Sequence, residues 1–321
     1  MPLTRPEGIP QAIRLFVGHS TTEAFRAAGS SGGIGTAILS HLLKSQEVDA
    51  VIGAGFDHTD ATRPAFRCIT NPDDIVLLSG SKYAYLEFAP LAALIEHHRG
   101  RRLAVAAPPC FCAALRQRYP DIRFLLSFFC GYNITPQATQ YLIEKTKTEP
   151  KNITRLDYRG GTHPGGFTLT LKDGTRKHFG KEYYEPLDLM FLRQGCDNCR
   201  FFISDIADII LGDAWIKGAP KNTAIVVITP AGDALLKTMF AHHELTLYSL
   251  YENELGRMHA HNLRYKTRGH SLIMKILVKI MGNPRLQRWI PLTLLAAAAR
   301  WRRACCVGIR KDMNPLKTYP S

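Results

Sequence analysis

Short continuous apolar runs alternate along the first part of the chain with stretches in which apolar side chains recur every three or four positions. Residues 13–17 form an apolar run that ends at Gly18 and predict a first strand, and 37–44 carry helical periodicity. Residues 48–53 and 75–78 read as strands, and 85–98 as a helix closed by Gly100. Runs at 103–107 and 122–129 have strand length, with a short helix over 113–119 between them. Strands that are apolar throughout, alternating with helices, predict a largely buried sheet covered on both faces.

Past Pro136 the pattern changes. After a helix over 138–147, residues 153–158, 167–171 and 175–179 alternate as antiparallel strands. Lys172-Asp173-Gly174 is a hairpin signal, and Gly160-Gly161 and Gly165-Gly166 punctuate the longer loop. A helix over 187–193 leads into Cys196, strands return at 206–211 and 224–228, and 231–241 is helical. The pattern predicts an α/β chain: a mixed sheet with flanking helices, an antiparallel hairpin insertion and a helical, basic C-terminal segment. Breaks in the pattern divide it into regions 1–135, 136–256 and 257–321.

Charge sharpens that division. The net charge is +14, yet residues 257–321 hold 14 Lys and Arg against one acid, Asp312. The remainder is nearly neutral, which excludes a uniformly basic nucleic-acid coat. Leu272, Ile273, Ile276, Leu277 and Ile280 share a stripe beside Lys275 and Lys279, and a second segment sets Trp289, Ile290, Leu294 and Leu295 among arginines. Such helices suit an anionic membrane surface, or pack on a core with basic outer faces. Nucleic acid ranks third, because aromatic interleaving is sparse and no recognition module is present. No apolar run reaches the ~18–20 residues of a spanning helix, and residues 1–10 lack a secretory apolar stretch. The expectation is a cytoplasmic protein, peripheral on the inner face of the membrane if the basic segment docks there.

Eight cysteines are too few for a disulfide scaffold, and a reducing compartment makes clustered cysteines metal ligands or redox groups. Cys196-Asp197-Asn198-Cys199 can serve zinc, an iron–sulfur cluster or dithiol chemistry. Cys110 and Cys112 follow Pro108-Pro109, and Cys130 follows a predicted strand; both places lie at carboxyl ends of strands, where sites gather. Together with the CxxC pair they complete a four-cysteine iron–sulfur site, or they are small buried hydrophobes. Cys305-Cys306 in the basic segment is left unassigned.

Two loops are candidate cofactor contacts. Gly29-Ser30-Ser31-Gly32-Gly33-Ile34-Gly35-Thr36 precedes a helix and suits a phosphate, or is a tight turn capping that helix. It is neither a dinucleotide fingerprint nor a Walker loop. Ser79-Gly80-Ser81-Lys82-Tyr83 offers a cation and a phenol to a ligand, or turns at the surface. No acid–base dyad stands out, and the catalytic residue is unassigned.

Taken in order, these motifs resemble a known family. RAAGSSGGIGTAILSHLL from Arg26, VDAVIG from Val48, SGSKY from Ser79, APPC ending at Cys110, FFCG around Cys130 and CDNCRFFISDIADIILGDAW from Cys196 resemble the coenzyme F420 hydrogenase/dehydrogenase beta-subunit family. Its members include divinyl chlorophyllide reductases, hydroxymethyl chlorophyll reductases and polysaccharide-biosynthesis proteins. The resemblance implies a flavin and iron–sulfur oxidoreductase. FAD would be met at its pyrophosphate by residues 29–36, giving Ser30, Ser31, Gly32, Gly33 and Thr36 as contacts, with Ser81, Lys82, Tyr83 and Asp213 beside them. One four-iron, four-sulfur cluster would be held by Cys110, Cys130, Cys196 and Cys199.

The chain departs from many relatives in having no cysteine before Cys68, so it lacks their ferredoxin-type relay. Electrons would come from a separate ferredoxin-like partner or a reduced deazaflavin such as coenzyme F420, and pass to a small-molecule substrate. Pro109-Cys110-Phe111-Cys112 leaves open which cysteine is the ligand. Two other expectations compete: a polysaccharide-biosynthesis enzyme acting on lipid-linked substrates at the membrane, and an interaction protein stabilised by zinc.

Overall fold

The computed structural model describes residues 9–184, 187–269, 279–283 and 313–320. Eleven strands among these residues form two sheets. The larger contains β1 (Arg14–Ser20), β2 (Ala50–Phe56), β3 (Pro64–Ile69), β4 (Leu103–Ala107), β5 (Phe124–Phe128), β9 (Ile209–Asp213), β10 (Thr223–Val227) and β11 (Leu245–Ser249). Their order is β11-β1-β10-β9-β5-β4-β2-β3. The central run β9-β5-β4-β2 is parallel and the outer pairings are antiparallel. The smaller sheet, β6 (Ile153–Gly160), β7 (Gly166–Leu171) and β8 (Arg176–Gly180), is an antiparallel meander. The expected mixed sheet with a hairpin insertion is the architecture observed.

β4 is buried at every position because helices cover both sheet faces. On one face lie α3 (Phe88–His97), α4 (Pro109–Arg118), α8 (Glu252–Met258) and α9 (Ala260–Arg268), joined through Leu91, Leu115, Leu255 and Leu263 in one apolar cluster. On the other lie α2 (Ile34–Lys44) and α7 (Pro230–Ala241), packed through Ile38, Leu42 and Leu236. The small sheet closes over α5 (Gln137–Lys145) and the single turn α6 (Asp188–Phe191) through Phe167, Leu156 and Leu142. A short helix, α1 (Glu23–Ala28), links β1 to the glycine–serine loop.

Several elements differ from the sequence pattern for identifiable reasons. Residues 75–78, expected as a strand, belong to a 3-10 helix over Pro72–Leu78, whose start is fixed by the Asn71 side chain accepting from the Asp73 amide at 3.1 Å. The edge strands β3 and β11 escape detection because each is only partly buried and mixes polar with apolar residues. α4 begins at Pro109 rather than 113, since proline is pre-shaped for the first helical position. That shift places Cys110 in a helical first turn.

The breaks at 135 and 256 are changes of pattern and not of packing. Strands from both sides of residue 135 share the large sheet. Leu255, Met258 and Leu263 share one core across residue 256. The chain end also returns to the body: the Leu316 amide donates to the Leu247 carbonyl at 2.7 Å, and the Tyr319 ring lies 5.5 Å from Phe16. Apart from residues 279–283, the basic stretches at 271–281 and 284–303 lie outside the described residues, as does Cys305-Cys306. Among the described residues no helix is long and apolar enough to cross a membrane.

Candidate redox site at the carboxyl edge of the parallel strands

The carboxyl ends of β9, β5, β4 and β2 open on one edge of the sheet, where a parallel arrangement places its ligand sites. Cys110 enters this edge in the first turn of α4, directly after β4. Residues two apart on a helix do not face the same way. Cys112 accordingly turns inward: it is buried, its thiol donates to the Ala107 carbonyl at 3.4 Å, and burial pushes its pKa up to about 12. Cys110 is exposed, and its thiol is raised by desolvation and then by the charges of Cys199 and Cys196.

Cys130 follows β5 and is anchored by its own amide, which donates to the Phe202 carbonyl at 3.0 Å. Burial pushes its thiol up to about 12; Lys266 opposes that rise, and Cys110, Cys196 and Cys199 add to it. The CxxC is a tight turn in which the Cys196 amide donates to Arg193 and the Cys199 amide to Cys196, at 3.0 and 3.3 Å. Four thiols from three chain segments are thus within electrostatic reach of one another. Desolvation outweighs Lys266, so Cys110 and Cys130 hold their protons at neutral pH, and metal binding to such a set releases protons.

The region beyond residue 256 supplies the wall of this centre. The Tyr265 hydroxyl donates to the Cys196 carbonyl at 3.1 Å, and Arg200 Nη1 to the Thr267 carbonyl at 3.0 Å. Lys266 is buried beside the cysteines, and a Cβ on Gly131 would lie 3.1 Å from Asn262 Oδ1. His259 is buried with its Nε2 donating to the Asp213 carbonyl at 3.0 Å, its ring edge-on to Phe129 at 4.9 Å. Desolvation lowers its pKa to about 4, so the ring is neutral. Sequence reasoning missed these residues by assigning everything after 256 to a separate tail. The signal was there in Leu255, Met258 and Leu263, apolar positions that continue from the neutral body into the start of the basic region.

The glycine–serine loop meets the same edge. Ser30 Oγ accepts from the Ser81 amide at 2.7 Å, and Ser31 Oγ donates to the Asn222 carbonyl at 2.5 Å. The Gly32 amide donates to Thr223 Oγ1 at 2.8 Å, and Thr36 Oγ1 shares a 2.9 Å bond with Ser79 Oγ. These side chains stitch three loops together. Gly32 has no room for a side chain, since a Cβ would sit 2.5 Å from the Gly18 carbonyl oxygen. Gly33 stands at φ +75° before α2 and offers no side-chain cap. α2 therefore starts with backbone donors that no capping side chain takes. Its first turn rides over β9 and β5, with Gly35 against Leu211 and Leu126.

Lys82, an expected cofactor contact, is bonded within its own loop. Its ammonium donates to the carbonyls of Leu78, Ser79 and Gly80 at 2.9, 2.7 and 3.1 Å, and so locks its own loop. Three bonds use all three of its donors. Burial lowers its pKa to about 7. Tyr83 stacks on Tyr184 with ring centroids 5.4 Å apart, edge-on to Tyr158. Asp213 accepts from Arg159 Nη1 at 2.6 Å, and the Arg159 guanidinium lies 5.9 Å from the Trp215 ring. Burial works against the Arg159 charge, but Tyr83, Asp213 and Tyr184 outweigh it and hold the pKa above its ordinary value. Nothing in the pattern around Gly160-Gly161 marked Arg159; Trp215 closes the quoted GDAW segment.

Two carboxylates elsewhere bind the frame together. Asp208 is buried, accepting from the Leu125 amide, Thr229 Oγ1 and Arg116 Nη2, and pins β9 to β5 and α4. Glu244 accepts from His41 Nδ1 at 2.7 Å, clipping α2 to the loop before β11.

Residues 15–93 match the family model for the coenzyme F420 hydrogenase/dehydrogenase beta-subunit N-terminus, and residues 100–252 match its C-terminal partner. The chain belongs to the coenzyme F420 hydrogenase/dehydrogenase beta-subunit family. Within reach of this family is a chloroplastic 7-hydroxymethyl chlorophyll a reductase of Oryza sativa subsp. japonica, 24% identical over 200 residues. The alignment covers 60% of this chain and 41% of the reductase, so the chain spans less than half of that relative. A chain in the solved F420-reducing NiFe hydrogenase complex from Methanosarcina barkeri shares the beta-subunit family fold, with a TM-score of 0.61 at 18% identity. That match covers 87% of this chain and 92% of the other. Family and relatives together point to an oxidoreductase.

Proposed function

We propose that the chain is a flavin and iron–sulfur oxidoreductase, with one four-iron, four-sulfur cluster on Cys110, Cys130, Cys196 and Cys199 and FAD at the glycine–serine loop. The observation that carries this reading is the convergence of four thiols from three segments at the carboxyl edge, with Cys112 turned away into the core. The donor set fits: four soft sulfur ligands are what an iron–sulfur cluster takes.

A flavin held at the glycine–serine loop would supply two-electron or hydride exchange with one partner and single-electron exchange with a cluster on the cysteines. The chain's residues supply position and field. Gly32 and Gly33 let the backbone approach a phosphate, and the uncapped first turn of α2 presents donors and a positive dipole end to it. Lys266 places a cation beside Cys130, offsetting the negative charge that four thiolates would bring. α9 walls the cysteines on one side through Tyr265 and Asn262. The reducing partner is of ferredoxin or deazaflavin type, and coenzyme F420 is a candidate through the family.

The test is anaerobic purification of the full chain, with its visible spectrum and its iron, acid-labile sulfide and flavin contents. The reading expects about four iron and four sulfide per chain with bound FAD. Stoichiometric zinc without iron or flavin would overturn it in favour of a zinc-stabilised interaction protein.

A further inference from the structure

Arg159 lies at the end of β6, where the small sheet meets the carboxyl edge of the large one, and its side chain is 3% exposed. Two of its three nitrogens are committed: Nε donates to the Pro164 carbonyl at 2.9 Å and Nη1 to Asp213 Oδ2 at 2.6 Å. Nη2 is buried and meets no partner among the described residues. A guanidinium that served only to neutralise Asp213 would meet it with two parallel bonds; here the pair is single and the remaining nitrogen is left over. Buried donors, charged ones above all, are rarely left unpaired.

The surroundings are cationic. Lys181 Nζ stands 4.7 Å from the centre of the Trp215 ring, the same ring that Arg159 approaches. His163 lies 5.8 Å from that ring and feels Arg159, Lys181 and Lys221 together. Lys221 is held there by bonds to the Arg26 and Ala27 carbonyls at 3.2 and 3.1 Å, which tie it to the entrance of the glycine–serine loop. Asp213 acts on His163 in the opposite sense to these three cations.

We propose that Arg159, with Lys181 at the Trp215 ring and Lys221 acting on His163 beside it, is an anion-recognition site that receives a phosphate or carboxylate oxygen of a molecule bound at the redox centre. The identity of that molecule rests on the flavin reading above; the site itself does not. Two sources share the chemistry, the phosphates of a resident FAD and an anionic group on an incoming substrate.

The test compares the full chain, purified anaerobically with whatever cofactors it retains, with its Arg159→Lys variant. Lysine keeps a cation for Asp213 and removes the spare donor. An Arg159→Met/Asp213→Asn double variant removes the pair together, so that neither member is left as an uncompensated charge. Circular dichroism and thermal melting establish that each is folded. Titration with inorganic phosphate and pyrophosphate, and retention of FAD against riboflavin on dialysis, are the readouts. Binding of the anion is expected to weaken about 10-fold or more in both variants, as the loss of one charge-assisted bond implies. If the anion belongs to the flavin, the variants lose FAD while riboflavin binds as before. If it belongs to the substrate, FAD is retained and inorganic phosphate no longer binds. Folded variants that hold FAD, phosphate and pyrophosphate as the parent does overturn the site. A parent loaded with iron and flavin whose anion binding ignores Arg159 fails this proposal and leaves the redox reading standing. Arg159-dependent phosphate binding by a protein without iron or flavin does the reverse.

Discussion

The cysteine centre and the glycine–serine loop lie on the same edge of the sheet and divide their labour in opposite ways. At the cysteines the backbone does the positioning: the Cys130 amide is bonded to Phe202, the Cys196 amide to Arg193, and the thiols are left for a ligand. At the loop the side chains do the positioning, since Ser30, Ser31 and Thr36 are spent on neighbouring loops and the backbone of Gly33 and α2 is what remains for a ligand. The difference tells which substitutions should abolish binding and which should only loosen the frame.

The largest effect is expected at the thiols. Cys130→Ala or Cys196→Ala should remove essentially all iron while leaving the fold detectable by circular dichroism; retained iron in either variant would break the division. Next comes Gly32→Ala, whose Cβ would sit 2.5 Å from a backbone oxygen that cannot swing aside. Overpacking of this kind costs about 3 kcal/mol, measurable as a fall in the urea midpoint. At the other extreme, Ser31→Ala removes one bond, worth about 1 kcal/mol, and should leave iron content untouched.

His259 sharpens the comparison through pH, because it ties the wall of the cysteine centre to Asp213 of the other region. Its folded pKa, about 4, lies below the ordinary 6.5. The neutral ring therefore favours folding above pH 6.5, and that contribution is lost as pH falls from 6.5 towards 4. The size is roughly 3 kcal/mol. Urea midpoints at pH 7 and pH 4.5 should diverge strongly for the parent and less for His259→Gln; equal divergence would remove His259 from the account.

How much of this the sequence disclosed follows from where each signal resides. Continuous apolar runs such as 103–107 announced buried parallel strands, because both faces demand apolar residues. The edge strands over Pro64–Ile69 and Leu245–Ser249 were lost, because a partly buried strand admits polar residues and weakens that signal. The CxxC and the Gly–Ser run were legible as motifs, since their chemistry is local. The choice between Cys110 and Cys112 was not, because it turns on whether the helix begins at 109 or 113. Arg159 and His259 act through partners 54 and 46 residues away, which no local pattern records. The basic charge after residue 256 concealed α9, which helps close the core through Leu263 and whose Tyr265 and Lys266 reach the cysteines.

The most direct test of the cysteine centre is the iron content of two single variants of the full chain, purified side by side without oxygen. Cys110→Ala should lose its iron and its sulfide, while Cys112→Ala should keep both, because that thiol faces the core and bonds to Ala107. Iron lost from Cys112→Ala and kept by Cys110→Ala, or zinc in place of iron in the unaltered chain, would contradict the account.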